Sequence, residues 1–131
     1  MAGKKIVVVD DEADIRDVVC HLLTDCGFEA IGFGAPEEAF SRVPEFGPEL
    51  VIVDLRMPGM SGLELIPRLQ LVAPKAKYML LSGYADRDTA QIAIDQGASG
   101  VLWKPFKTKT FLDMVMRLLG QPAISWNHLP R

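Results

Sequence analysis

Short β-branched apolar runs alternate with stretches of helical periodicity along this chain, and that alternation leaves it few architectures. Lys5-Ile-Val-Val-Val-Asp10, residues 28–33, Leu50-Val-Ile-Val-Asp54, Lys77-Tyr-Met-Leu-Leu-Ser82 and Gly100-Val-Leu-Trp-Lys104 read as strands. Apolar residues recur at helical spacing in the segments that follow each of them. The first helix has Ile15, Val18, Val19, Leu22, Leu23 and Cys26, and the second has Ala39, Phe40 and Val43 on its inner face. The third has Leu63, Leu65, Ile66 and Leu69, the fourth Ala90, Ala93 and Ile94, and the fifth Phe111, Met114, Val115, Leu118 and Leu119. Boundary residues fit: Gly27, Gly97 and Gly120 stop helices, Pro36 opens the second, and Pro44 and Pro48 close it. Ser61 and Glu64 have capping-box spacing, and Asp86 can cap the fourth helix. Five strands alternating with five helices predict an α/β domain of right-handed βαβ units around a parallel sheet.

In open parallel sheets, ligands and chemistry sit at the carboxyl ends of the strands. The strand ends here supply Asp10 and Asp11, Asp54, Ser82 and Lys104. Three converging carboxylates repel one another at neutral pH and call for a cation. A hard, oxygen-liganded ion such as Mg²⁺ suits them, because it keeps waters and sites for phosphate oxygens. Such a site is half of a phosphoryl-transfer machine: a carboxylate can become an aspartyl-phosphate while metal and ammonium stabilise charge on the transferring oxygens. Ser82 then either hydrogen-bonds the phosphoryl group or satisfies a backbone group. Taken singly, Asp10 and Asp11 could be helix-capping acids and Lys104 a solvated strand end; capping requires neither Asp54 nor Lys104.

With 131 residues there is room for one core, and 49% hydrophobic residues suffice to build it. A net charge of -3 leaves no basic stripe for direct nucleic acid binding. No apolar run reaches the roughly 18 residues of a membrane span, so a cytoplasmic location is expected. Cys20 and Cys26 fall about 240° apart around one helix, which disfavours a disulfide and leaves them as packing residues. His21 and His128 have no evident ligand or triad partner.

The combined motifs Asp10-Asp11, Asp54 with Met57-Pro58 and Gly62, Ser82-Gly83, and Lys104-Pro105-Phe106 resemble the receiver domain of two-component response regulators. The likeness covers roughly residues 4 to 120. It implies a flavodoxin-like (βα)5 sandwich with strand order 2-1-3-4-5, a receiver domain over residues 1–120, and a tail or linker start over 121–131. By resemblance Asp54 is the phosphoacceptor. Asp11, Asp54 and the backbone carbonyl of Arg56 would ligate Mg²⁺, with Asp10 acting largely through water. Lys104 would pair with the phosphoryl group, Ser82 would move to bind it, and the Lys104–Pro105 peptide would be cis. The phosphodonor would be a sensor histidine kinase or a histidine phosphotransfer protein. Output would pass through the face of helix four, strand five and helix five to an output domain, a docking partner or a second copy of the chain. The protein would catalyse its own phosphorylation and dephosphorylation without turning over an external metabolite.

One position departs from the family. Where a Tyr or Phe rotameric switch usually stands, three residues before the lysine, this chain has Val101, with one χ angle and no ring to relocate. Two other routes are open: Trp103, on the same side of the strand as Val101, and backbone shifts in residues 82–88. Gly100 stands where DNA-binding subfamilies carry an acid, which argues against their mode of dimerisation.

Other classes fit less well. A small Mg²⁺-dependent aspartyl phosphatase should carry Asp-x-Asp after the first strand. A flavin carrier of this fold needs a hydroxyl- and glycine-rich phosphate loop there, and Asp10-Asp11-Glu12 would repel the phosphate. A phosphorylation-independent docking module has no use for the filled chemical positions.

Overall fold

The computed structural model describes residues 4–83 and 87–121. The cap expected of Asp86, the middle of the 82–88 segment, His128 and the tail beyond residue 121 lie outside the described residues. Among those described, strands and helices alternate as β1 (Lys5–Val9), α1 (Ala13–Asp25), β2 (Glu29–Phe33), α2 (Pro36–Phe46), β3 (Leu50–Asp54), α3 (Gly62–Val72), β4 (Lys77–Ser82), α4 (Arg87–Asp95), β5 (Gly100–Trp103) and α5 (Thr108–Leu118). All neighbouring strands pair in parallel, in the order β2-β1-β3-β4-β5. This is the expected flavodoxin-like arrangement. Its crossovers need intervening helices, and those helices cover both faces.

Strand alternation divides the core in two. Ile6, Val8, Leu50, Ile52, Met79 and Leu81 face Val19 and Leu23 of α1 and Phe111, Leu112 and Val115 of α5. Val7, Val9, Val51, Val53 and Leu80 face Val43 of α2, Leu65, Ile66 and Leu69 of α3 and Ala93 of α4. Every residue of β3 is buried, as a central strand covered on both sides requires.

The capping box at the start of α3 forms: Glu64 N–H donates to Ser61 Oγ at 3.3 Å, and Ser61 N–H donates to Glu64 Oε1 at 3.4 Å. Pro44 does not close α2, contrary to expectation. It lies inside the helix, and the stop comes from Gly47 at φ 67°, whose N–H donates to Val43 O. A proline so near the end removes one ladder bond without unwinding the two residues beyond it. Val18, Phe40 and Ile94, expected to face the core, are 59%, 43% and 47% exposed. Each adjoins the residue that does face it, Val19, Ala39 or Ala93, and one step along a helix turns about 100° out of the apolar stripe. Cys20 and Cys26 are free and half-buried against the α1/α5 core, where burial pushes both thiols up in pKa.

Candidate functional site

The carboxyl rim of the sheet collects the polar residues singled out in the sequence. Asp10 follows β1, Asp54 ends β3, Ser82 ends β4 and Lys104 follows β5. Alternation then sorts them by face. Asp10 continues the parity of Ile6 and Val8, Asp54 that of Leu50 and Ile52, and Lys104 that of Leu102, all on the α1/α5 side. Ser82 continues the parity of Tyr78 and Leu80, on the other side. It therefore reaches the rim from the opposite face.

Asp54 is only 5% exposed, and Lys104 Nζ donates to its Oδ1 at 2.6 Å. The same ammonium lies 3.5 Å from Asp10 Oδ2. Asp10 is held at three other points: its N–H donates to Phe33 O at 3.1 Å, its Oδ1 accepts from Glu12 N–H at 2.9 Å, and its carbonyl accepts from Arg16 Nη1 at 2.7 Å. Asp10 Oδ2 alone has no hydrogen-bond partner among the described residues, though it is buried. Sequence reading assigned Arg16 nothing. Its only signal there was a guanidinium six residues past an acid pair, which does not reveal a contact to the backbone of that pair.

Gly62, the first residue of α3, lets that helix approach β3. A Cβ there would lie 2.5 Å from Asp54 O and 2.9 Å from Leu80 Cδ1, and its own N–H donates to Leu55 O at 2.8 Å. Asp54 is thus seated on a junction with no spare room.

Carboxylate oxygens of Asp10, Asp11 and Asp54 lie within 4.8 Å of one another. Burial pushes the Asp54 carboxyl above its ordinary pKa, and the charges of Asp10 and Asp11 add to the rise against the opposing lysine. Burial alone would lower the Lys104 ammonium, but its hydrogen bond to Asp54 and the charges of Asp10 and Asp54 outweigh that and raise it. Burial first for Asp54, and the surplus of negative charge for both groups, favour the protonated forms. A hard divalent cation fits this donor set, which is all carboxylate oxygen with one buried oxygen left over. Exposed Arg56 and Asp11 line an open cleft of about 490 Å³ beside the acids, with Met57, Pro58 and Ser61.

The expected cis peptide is present between Lys104 and Pro105. Lys104 N–H donates to Ser82 O at 2.7 Å, and Ser82 and Trp103 are direct partners in the β4/β5 ladder. Val101 and Trp103 are both half-buried, and Val101 packs against the α2/α3/α4 core.

A family model described as the response regulator receiver domain matches residues 6–116. The response regulator protein FleR of Pseudomonas aeruginosa is 35% identical over 92% of this chain, and the chemotaxis protein CheY of Thermotoga maritima is 28% identical over 88% of it. The solved structure of NtrX from Brucella abortus superposes with a TM-score of 0.85 at 34% identity over 92% of the chain. This chain spans 26% of FleR and 27% of the NtrX chain, but 98% of CheY.

Proposed function

The chain belongs to the response regulator receiver domain family, and on that premise we propose that Asp54 accepts a phosphoryl group from a phosphohistidine. One observation carries the reading: buried Asp54 ends the central strand with Lys104 Nζ 2.6 Å away and oxygens of Asp10 and Asp11 within 4.8 Å.

An Asp54 oxygen attacks phosphorus, the phosphorus–nitrogen bond of the donor breaks, and the imidazole nitrogen leaves with its electron pair and takes a proton. Hydrolysis of the acyl phosphate returns the carboxylate and inorganic phosphate. Asp11, Asp54 and the Arg56 carbonyl would hold Mg²⁺, with Asp10 acting through water, and the ion supplies positive charge for the phosphoryl oxygens. Lys104 transfers its ion pair from Asp54 to the phosphoryl oxygens. Ser82 donates its hydroxyl to them from the other face.

The signal leaves through α4, β5 and α5. Trp103 stands beside Ser82 in the ladder, which supports it as the relay where Val101 replaces an aromatic ring. The donor is a sensor histidine kinase or histidine phosphotransfer protein, and the receiver occupies residues 1–120 with 121–131 as tail or linker. Its output goes to an attached domain, a docking partner or a second copy, without direct nucleic acid contact. Action in the cytoplasm is part of the same proposal; no described helix is long and apolar enough to cross a membrane.

The test is uptake of phosphoryl from acetyl phosphate, followed by intact mass. Mg²⁺-dependent addition of one phosphoryl group, lost in EDTA and in Asp54→Asn, is expected. Uptake that survives EDTA and the substitution refutes the reading.

A further inference from the structure

The tether on Asp10 does something the proposed chemistry leaves unexplained. Arg16, half-buried on α1, reaches back six residues to give its Nη1 hydrogen to the Asp10 carbonyl at 2.7 Å. On the way its stem crosses β2. A Cβ on Gly32 would lie 2.7 Å from Arg16 Cγ and 2.8 Å from Cδ, and one on Gly34 would lie 2.9 Å from Nη1. Neither glycine has a positive φ, so the backbone does not require glycine at either position. What it requires there is clearance for Arg16. Ala30, two residues before Gly32, packs on the same α1 side, so this face of the strand is stripped to small residues under the arginine.

The polar groups of Asp10 are consequently committed one by one. N–H, carbonyl and Oδ1 are bound to Phe33, Arg16 and Glu12, and only Oδ2 is left facing the ammonium of Lys104. The orientation of that remaining oxygen follows from where the Asp10 peptide is held. We propose that Arg16 is a positioning residue for the acid cluster, acting through the Asp10 peptide, and that Gly32 and Gly34 serve it by leaving room for its side chain. This rests on the reading of Asp10, Asp11 and Asp54 as a Mg²⁺ site. It adds that the site is built from α1 and an edge strand as well as from the strand ends.

The test is calorimetric titration with Mg²⁺ alone, on the unaltered chain and on Arg16→Met, Arg16→Lys, Gly32→Ala and the Arg16→Met/Gly32→Ala pair, with urea unfolding in EDTA as a stability control. Loss of an outer partner of a direct metal ligand weakens metal binding about 10-fold or more; Asp10 acts through water and Arg16 holds only its peptide, so a smaller weakening, about 3- to 10-fold, is expected for Arg16→Met. Arg16→Lys keeps a charged donor and recovers part of the loss. Gly32→Ala displaces the arginine stem and weakens Mg²⁺ in the unaltered background, yet has no further effect once Arg16 is replaced by Met. Mg²⁺ affinity within about twofold of the unaltered chain in Arg16→Met would overturn the inference, as would an equal cost of Gly32→Ala in both backgrounds. If Arg16→Met does not fold, Gly32→Ala alone decides: Mg²⁺ affinity within about twofold of the unaltered chain would then overturn the inference. An unaltered chain that binds no Mg²⁺ would overturn the reading of the site and this inference with it.

Discussion

Replacing Asp54 by Asn should make the metal-free protein more stable, although it removes the partner of a 2.6 Å ion pair. Two carboxylate oxygens no more than 4.8 Å apart repel by at least about 3.5 kcal/mol at an effective dielectric of about 20, and a 2.6 Å contact to an ammonium attracts by about 6. Repulsion from buried Asp10, with a smaller, solvent-screened share from exposed Asp11, therefore offsets much of the lysine's attraction, and the burial of a 5% exposed carboxylate remains uncompensated. Asn keeps an oxygen to accept from Lys104 without the charge. Lys104 keeps Asp10 as a partner, so the relief of buried charge and repulsion shows as an expected gain of about 1–2 kcal/mol in urea unfolding followed by circular dichroism, with EDTA present. The pH dependence has a definite sign. Because the folded carboxyl is raised, first by burial and then by its acidic neighbours, the folded state favours its neutral form. Its stability contribution is present below the unfolded value and lost as pH rises through the folded one. The gap between the Asp54→Asn variant and the unaltered chain should thus open with rising pH and close on acidification. Mg²⁺ should stabilise the unaltered chain more than the variant, which has lost a ligand. A variant less stable than the unaltered chain in EDTA, or an equal response to Mg²⁺, would refute the charge-deficit argument.

Lys104→Ala should cost about 3–5 kcal/mol in EDTA, because it leaves buried Asp10 and Asp54 unpaired, and added Mg²⁺ should restore part of it; a loss that Mg²⁺ leaves untouched contradicts this. Gly62→Ala sets a Cβ 2.5 Å from the Asp54 carbonyl, so unfolding should come about 1–3 kcal/mol easier and phosphoryl uptake should slow; unchanged stability would show that α3 can back away freely. Tyr78 is buried with its hydroxyl donating to Ala73 O at 2.9 Å, and burial pushes its pKa from 10.0 to about 12. Its folded state favours the neutral phenol, so relative to Tyr78→Phe the protein should lose about 2–3 kcal/mol as pH rises through that interval, and parallel pH profiles for the two chains would contradict the shift.

Most of this fold was legible because strand and helix periods differ and the strands end in charge. The βαβ alternation, the Ser61–Glu64 capping box and the rim of Asp10, Asp54 and Lys104 all follow from local pattern. Val18, Phe40 and Ile94 escape that pattern because an apolar residue can stand beside a helix stripe as easily as in it. Pro44 misleads because the stop is set by Gly47 beyond it. The tether from Arg16 across Gly32 to Asp10 left no mark in spacing, since it joins α1, β2 and the rim through a side chain whose direction is decided by tertiary packing. The opposite facing of Ser82 was recoverable from parity, counted back through Leu80 and Tyr78.

Borohydride trapping of the phosphorylated protein tests the central claim most directly, since hydride converts an aspartyl phosphate to homoserine at the modified position. After incubation with a phosphodonor and Mg²⁺, fragment masses should place homoserine at residue 54 alone. Homoserine at position 10 or 11, or a phosphoryl group resistant to reduction, would contradict the account.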